Sequence, residues 1–228
     1  MLFKGQMITD LSGSINGTTA SRNRGGSYFR DKAIPINPAT AFQTAVRDLF
    51  ASFASAWVNI LTTAQRDAWG VYADAVPVIN AIGDPHFITG LAWYQAMNVS
   101  RVQSGLTRVD DGPTDFTRAD LTLPVAAAPD AAADTVSIAY TNTDKWAGEV
   151  GGYLSIYCSR PVNASINFFK GPYRLAGTVL GAVVPPTSPE VVTLPFPVAV
   201  GNKVFLRYRS GEVDARISSS FRDSGVAV

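Results

Sequence analysis

Histidine and cysteine are nearly missing from this 228-residue chain, which holds one of each, His86 and Cys158. They stand far apart in sequence, so no His/Cys metal set can form, and a lone cysteine excludes an intrachain disulfide. A Ser-His-Asp triad would have to use His86, which follows an Asp84-Pro85 turn, and no Gly-x-Ser-x-Gly elbow supports one. Cys158 falls in the alternating run 152–159 and reads as a small buried hydrophobe rather than a reactive thiol. Charge is also scarce. Charged residues make up 16% of the chain, against roughly 25% in ordinary globular domains. Net charge is +1, with ten basic and nine acidic side chains in 1–118 and nine of each in 119–228. No global field therefore recruits nucleic acid or an anionic membrane.

Long apolar runs are absent too, so nothing spans a membrane, and Met1 to Met7 is too short and polar for a secretory h-region. Phosphate-cradling loops fail: Gly13 to Gly17 and Gly25-Gly26 lack a following Gly-Lys-Ser/Thr. Asp110 and Asp111 lie in a Gly/Pro-rich stretch where solvated charge is the usual role, and no carboxylate pair is singled out across a cleft. The three Asn-x-Ser/Thr sequons, at Asn16, Asn98 and Asn163, read as chance matches. The expectation is a non-enzymatic chain with no cofactor, no metal, no small-molecule substrate and no membrane. Hydrophobic residues reach 46%, so with few charges some of the surface is expected to be covered by partners.

What is present falls into zones without a repeat of 20–50 residues. Residues 1–37 read as an extended arm. The stretch from Leu11 to Phe29 is mostly Gly, Ser, Thr, Asn and Arg, without apolar periodicity, and its backbone entropy exceeds what its few apolar side chains offset. Order in such an arm comes from a neighbour. Pro35 and Pro38 then force an extended path.

Residues 38–108 read as helical. Thr40 is a candidate N-cap before Phe42, Val46, Leu49, Phe50, Phe53, Trp57, Ile60 and Leu61, a stripe at helical spacing expected to bury one wide face. Thr62 and Gln65 fit a capping box opening a second helix with Trp69, Tyr72, Ala73 and Val76 inward, limited by Pro77. Thr89 is a candidate cap for a third helix through Trp93, Tyr94, Met97, Arg101 and Val102, stopped by Gly105.

Residues 109–134 read as a linker with an edge strand at Leu121–Pro124. From 135 to 228 the period becomes two. Val136, Ile138 and Tyr140 alternate with polar neighbours, as do Leu154, Ile156 and Cys158. Further strand-like runs are 164–169, 174–180, 190–195, 203–209 and 214–221. About seven short strands between turn clusters is the pattern of an immunoglobulin-like or fibronectin-III-like antiparallel β-sandwich. The fold class expected is α+β and multi-part: arm, helical segment, sandwich.

The candidate contact residues are Arg22, Arg24, Tyr28, Phe29 and Arg30 in the arm, Trp57 and Trp69 as core or interface anchors, and Phe205, Arg207 and Arg209 pointing outward from a late hairpin. Arg22, Arg24, Arg30 and Lys32, offset by Asp31 alone, could instead neutralise phosphates while Tyr28 and Phe29 stack on bases. A third reading is a carbohydrate- or receptor-binding module using Trp146 and Tyr173.

The order Ser-Arg-Asn-Arg-Gly-Gly-Ser-Tyr-Phe-Arg at 21–30, Pro-Ile-Asn-Pro at 35–38, Thr40-x-x-Gln43-x-x-Val46-Arg47, and then Trp57-x-x-x-Leu61-Thr62-x-x-Gln65-Arg66-x-x-Trp69 resembles phage and prophage virion structural proteins. In these a front half of this kind precedes a fibronectin-III-like back half, and the run 202–211 is similar to the late hairpin of such modules. The resemblance implies a virion part (capsid-associated, decoration or tail) made in the bacterial cytoplasm. Its partners would be copies of itself and other virion proteins, and it brings no catalytic residues.

Overall fold

The computed structural model describes residues 12–23, 26–34, 36–79 and 83–228. The chain divides into two units, Met1–Ala45 and Val46–Val228. In the first, β1 (Gly13–Ile15), β2 (Thr18–Asn23) and β3 (Gly26–Asp31) form a three-stranded antiparallel sheet. The arm is thus paired rather than a single extended thread. Apolar periodicity could not reveal this, because the local signal is the Asn16-Gly17 dipeptide between β1 and β2. Asn16 takes φ 53°, the left-handed conformation that a two-residue hairpin turn requires and that asparagine tolerates.

Helix α1 spans Ala41–Asn59. The Gln43 backbone N–H donates to Thr40 Oγ1 at 3.4 Å and that of Thr44 to the Thr40 carbonyl at 2.9 Å, so Thr40 caps it. Its apolar face is buried only toward the C-terminal end, at Phe53 and Ala56, with Leu49 and Trp57 half-buried. Phe42, Phe50 and Ile60 stay exposed, against the expectation of one wide buried face. Only Phe53 and Ala56 turn into the buried cluster, with Leu49 and Trp57 at its margin, so the covered stripe is narrower than the apolar one.

Helix α2 (Thr63–Ala75) opens on the expected capping box. Gln65 N–H donates to Thr62 Oγ1 at 3.3 Å, and Gln65 Oε1 accepts from the Thr62 backbone N–H at 2.9 Å. A two-residue pair, β4 (Val78–Ile79) with β5 (Pro85–His86), leads to α3 (Gly90–Gln103), capped by Thr89. At its end Gly105 takes φ +83°, Leu106 N–H donates to the Arg101 carbonyl and Gly105 N–H to that of Val102, a Schellman termination. Trp69, Tyr72, Ala73, Trp93, Tyr94 and Met97 are all buried in one cluster, as their spacing predicts.

The remaining elements are β6 (Val125–Ala126), β7 (Thr135–Ala139), the short α4 (Lys145–Gly148), β8 (Tyr153–Cys158), β9 (Val162–Asn163), β10 (Arg174–Leu180), β11 (Glu190–Thr193), β12 (Asn202–Gly211) and β13 (Phe221–Val226). They make antiparallel sheets of order β11-β7-β6 and β10-β8-β12-β13, with β9 also on β12. Val136, Ile138 and Val192 from the first sheet and Leu154, Ile156, Val204 and Leu206 from the second bury into one cluster around Trp146. The fold is mixed α+β, with several helices and antiparallel sheets.

Three strand expectations change. Residues 164–169 are not a strand: Asn163 Oδ1 accepts from the Ser165 N–H at 2.9 Å and hydroxyl at 2.8 Å, so the side chain turns the backbone away from the ladder. Residues 214–221 are mostly a turn and loop. Asp214 Oδ1 accepts from Arg216 N–H at 3.1 Å and Ala215 holds φ 72°; a single bridge joins Ile217 to Gly211, and the continuous ladder of β13 on β12 starts at Phe221. The edge pairing expected at Leu121–Pro124 begins instead at Val125, just past Pro124, which has no N–H to donate.

The stretch 109–119 is a strap on the helices. Trp69 donates its indole N–H to the Asp110 carbonyl at 2.9 Å, Tyr72 its hydroxyl to the Thr117 carbonyl at 3.1 Å, and Tyr94 its hydroxyl to Asp110 Oδ1 at 3.1 Å. Gly112 lies so close to α2 that a Cβ there would stand 2.7 Å from the Ala68 backbone, so only glycine fits. The helical cluster also takes in Ala215 and Ile217 from the segment after β12, so helices and sheets share a single unit.

Candidate assembly interface

The N-terminal sheet carries four of the five arm candidates; Arg24 lies outside the described residues. Register sorts them. Gly13, Ala20 and Phe29 are directly paired across the sheet, and Arg22 pairs with Ser27. Because side chains alternate along a strand, Arg22 and Phe29 share one face with Ile15 and Ala20. Tyr28, paired with Ser21, and Arg30, paired with Thr19, occupy the other. The adjacent aromatics therefore cannot act together on one ligand. Ile15, Thr18, Ala20 and Phe29 line a hollow of about 240 Å³, and Ala20 is the one buried residue of the sheet among those described. The other face is polar, with Ser14 Oγ and Thr19 Oγ1 bonded across strands at 2.7 Å.

Trp57 and Trp69 differ. Trp69 is fully buried, its ring 5.5 Å from that of Tyr94. Trp57 is half-buried and also packs on Tyr94, at 5.5 Å and a tilted angle.

Phe205, Arg207 and Arg209 project from the outer face of the β10-β8-β12-β13 sheet, as the alternation of β12 requires, yet that face is not bare. Phe169 stacks on Phe205 at 5.9 Å and leaves it buried. Arg207 sits over Tyr157 at 4.7 Å and Tyr173 at 5.0 Å. Tyr173 in turn donates its hydroxyl to the Phe169 carbonyl at 3.1 Å, holding the loop down. Beside them Arg222 covers Phe168 at 5.6 Å, and Phe168, Phe169, Tyr173, Phe205 and Arg222 line a hollow of about 320 Å³. Trp146, the other aromatic of the binding-module reading, is wholly buried in the core between the antiparallel sheets and is not a surface contact.

Arginine predominates on this face, with Asp223 also at the hollow. Arg207 pairs directly with Arg222 across β12 and β13, an arrangement of like charges that destabilises a sheet. Burial, and then the charge of Arg209, hold the Arg207 guanidinium below its ordinary value; burial does the same to Arg209.

Other polar residues that sequence patterning did not single out hold the unit together. Asn98 is fully buried, its Oδ1 accepting from Val109 N–H at 2.8 Å and its Nδ2 donating to the Val109 carbonyl at 3.0 Å. Buried Arg216 pairs with Glu212, with Asp214 at 2.7 Å and with Asp115 at 2.7 Å. The available signal was Arg101, standing inside an apolar stripe where an unpartnered guanidinium could not remain. Cys158 is buried, and burial pushes its thiol up to about 12, as expected of an inert side chain.

Among the described residues no group of three or more His, Cys, Asp or Glu could hold a metal, and no helix is long and apolar enough to cross a membrane. No protein-family model, curated protein or solved structure matches this chain.

Proposed function

We propose that the chain is a non-enzymatic structural component of a phage or phage-like particle, made in the bacterial cytoplasm and assembled through its N-terminal sheet. The observation that carries this reading is the exposure of that sheet. It presents Ile15 and a hollow edged by Phe29, is followed by exposed Ile34 and Ile36, and buries only Ala20 among its described residues. A three-stranded sheet needs an apolar face covered to be stable in water, and a neighbouring subunit supplies that cover. The like-charged Arg207–Arg222 pair supports the same reading, since an acidic partner surface would relieve the repulsion that the aromatic rings only partly offset.

The finer fold reading belongs with this proposal. Three strands in one sheet, four in the other with β9 attached, and one shared core support a fibronectin-III-like sandwich. In a particle such a module is displayed or packs laterally while the arm makes the inter-subunit contacts.

The test is removal of residues 1–37. The truncated chain should unfold at the temperature of the full chain and sediment as a monomer, whereas the full chain should self-associate or co-purify with particles. A full chain that stays monomeric and is excluded from particles would overturn the reading. Salt-dependent retention of DNA by the full chain and not by the truncated one would favour a nucleic-acid-contacting arm instead.

A further inference from the structure

Where the end of α2 meets the strap and the segment after β12, the fold forms an open-mouthed cavity of about 640 Å³. Its apolar lining includes Val76, Ile79 and Phe116, and its polar lining Arg118, Arg209 and Ser219. The two arginines are the unusual feature. Neither makes a hydrogen bond or ion pair with another described residue; Arg118 has only the Trp93 ring beneath it, at 5.0 Å. The other buried arginines of this unit are well satisfied. Arg101 donates to the carbonyls of Thr107, Gly151 and Glu212, and Arg216 is met by three carboxylates. Burial is the first cause lowering the pKa of both Arg118 and Arg209, and the charge of Arg118 lowers that of Arg209 further. Two half-buried cations share this cavity with no carboxylate in its lining, so the Trp93 ring and nearby tyrosines offset only part of their desolvation.

We propose that this cavity is a binding site for a carboxylate-bearing peptide segment of a partner protein, an acidic side chain flanked by aliphatic residues. The carboxylate would take the arginine forks, whose planar donors suit it, while the aliphatic neighbours would lie against Val76, Ile79 and Phe116. A phosphate polymer fits less well. It calls for a basic track along its backbone and aromatic platforms for its bases, and this cavity offers two cations against an aliphatic wall. The site stands independently of whether the N-terminal sheet drives assembly.

The experiment is calorimetric titration of the full chain, at fixed ionic strength, with four probes: the blocked tripeptide acetyl-Val-Glu-Val-amide, its Val-Gln-Val counterpart, inorganic phosphate, and a mixed-sequence single-stranded oligonucleotide. The glutamate peptide should saturate with a Kd of about 1 mM or tighter, and the glutamine peptide should bind at least about tenfold more weakly. Arg118→Gln and Arg209→Gln should each weaken the glutamate peptide by about tenfold or more. Arg209→Gln should also melt at or above the wild-type temperature, because it removes an unpaired buried charge that serves binding rather than folding. Equal affinity for the two peptides, tighter binding of phosphate or oligonucleotide, or no saturation by the glutamate peptide would each overturn the proposal using wild-type protein alone. A clear fall in the melting temperature of Arg209→Gln would assign that arginine to folding and overturn it as well.

Discussion

The Arg101 guanidinium on α3 donates to the carbonyl oxygen of Glu212, 111 positions further along the chain, at 3.1 Å. The same side chain reaches the carbonyls of Thr107 at 2.7 Å and Gly151 at 2.9 Å, and nearby Ser104 Oγ bonds Ser155 Oγ on β8 at 2.9 Å. Helices and antiparallel sheets are joined by this polar seam.

Arg101→Ala should therefore destabilise Val46–Val228 by about 1.5–3 kcal/mol, since it removes three charge-assisted hydrogen bonds, one buried and two part-buried. Lys at this position should recover only part of the loss, because its ammonium cannot reproduce the fork. Chemical denaturation with the midpoint and slope read together checks this. A change near zero would mean that water replaces the guanidinium.

Trp69 and Trp57 should separate under substitution. Trp69→Ala should cost about 3–5 kcal/mol and Trp69→Phe roughly 1 kcal/mol beyond lost packing, the latter reporting the bond to the Asp110 carbonyl. Trp57→Ala should cost about 1–2 kcal/mol because its ring is only half covered. Thermal unfolding of the three variants gives the order, and equal losses at the two positions would contradict the packing.

Alkaline pH should unfold the protein. Burial raises Tyr72 and Tyr153 from 10.0 to about 12, and Tyr94 and Tyr208 higher still. Above pH 10 the unfolded tyrosines lose protons that the folded ones retain, so their contribution to stability is full below pH 10 and is lost as pH rises toward 12. Cys158, shifted from 9.0 to about 12, adds to the fall from pH 9 upward. Tyrosinate absorbance should show a late fraction coinciding with loss of near-ultraviolet circular dichroism. Smooth titration of every tyrosine before unfolding would refute it.

The two faces of the N-terminal sheet should be unequal in assembly. Phe29→Ser, on the apolar hollow, should weaken subunit association by tenfold or more, taking burial of one phenyl ring as about 1.5–3 kcal/mol. Tyr28→Ser, on the polar face, should change it little. Sedimentation velocity at matched concentrations measures both, and a larger effect at Tyr28 would place the contact on the opposite face.

The helical part of the fold was legible wherever the signal was local. Thr62 with Gln65, Thr89 three residues before Ala92, and Gly105 after α3 act within one turn of backbone, and each performs as its position predicts. The alternation of Val136 and Ile138 likewise identified β7 and its buried face. The candidate contact residues were legible only as types. Phe205 and Arg207 do leave the outer side of β12, but the covering loop with Phe169 and Tyr173 could not be read, because 164–169 looks like a strand until Asn163 turns it.

The caps, the helix stops, the periodicity of the core-facing residues and the scarcity of histidine and cysteine were all readable from the sequence, because each depends on neighbours a few positions away or on composition alone. The tertiary structure decided which strands pair, that the 109–119 stretch straps the helices, that Trp146 is core, and that Arg118 and Arg209 meet in one cavity while Arg101 and Arg216 find partners. Those outcomes turn on contacts between residues tens to more than a hundred positions apart. A guanidinium reads the same in sequence whether it faces a carboxylate, a carbonyl or an empty cavity; only the folded chain distinguishes these environments, by how far each removes the charge from water and what it offers in return.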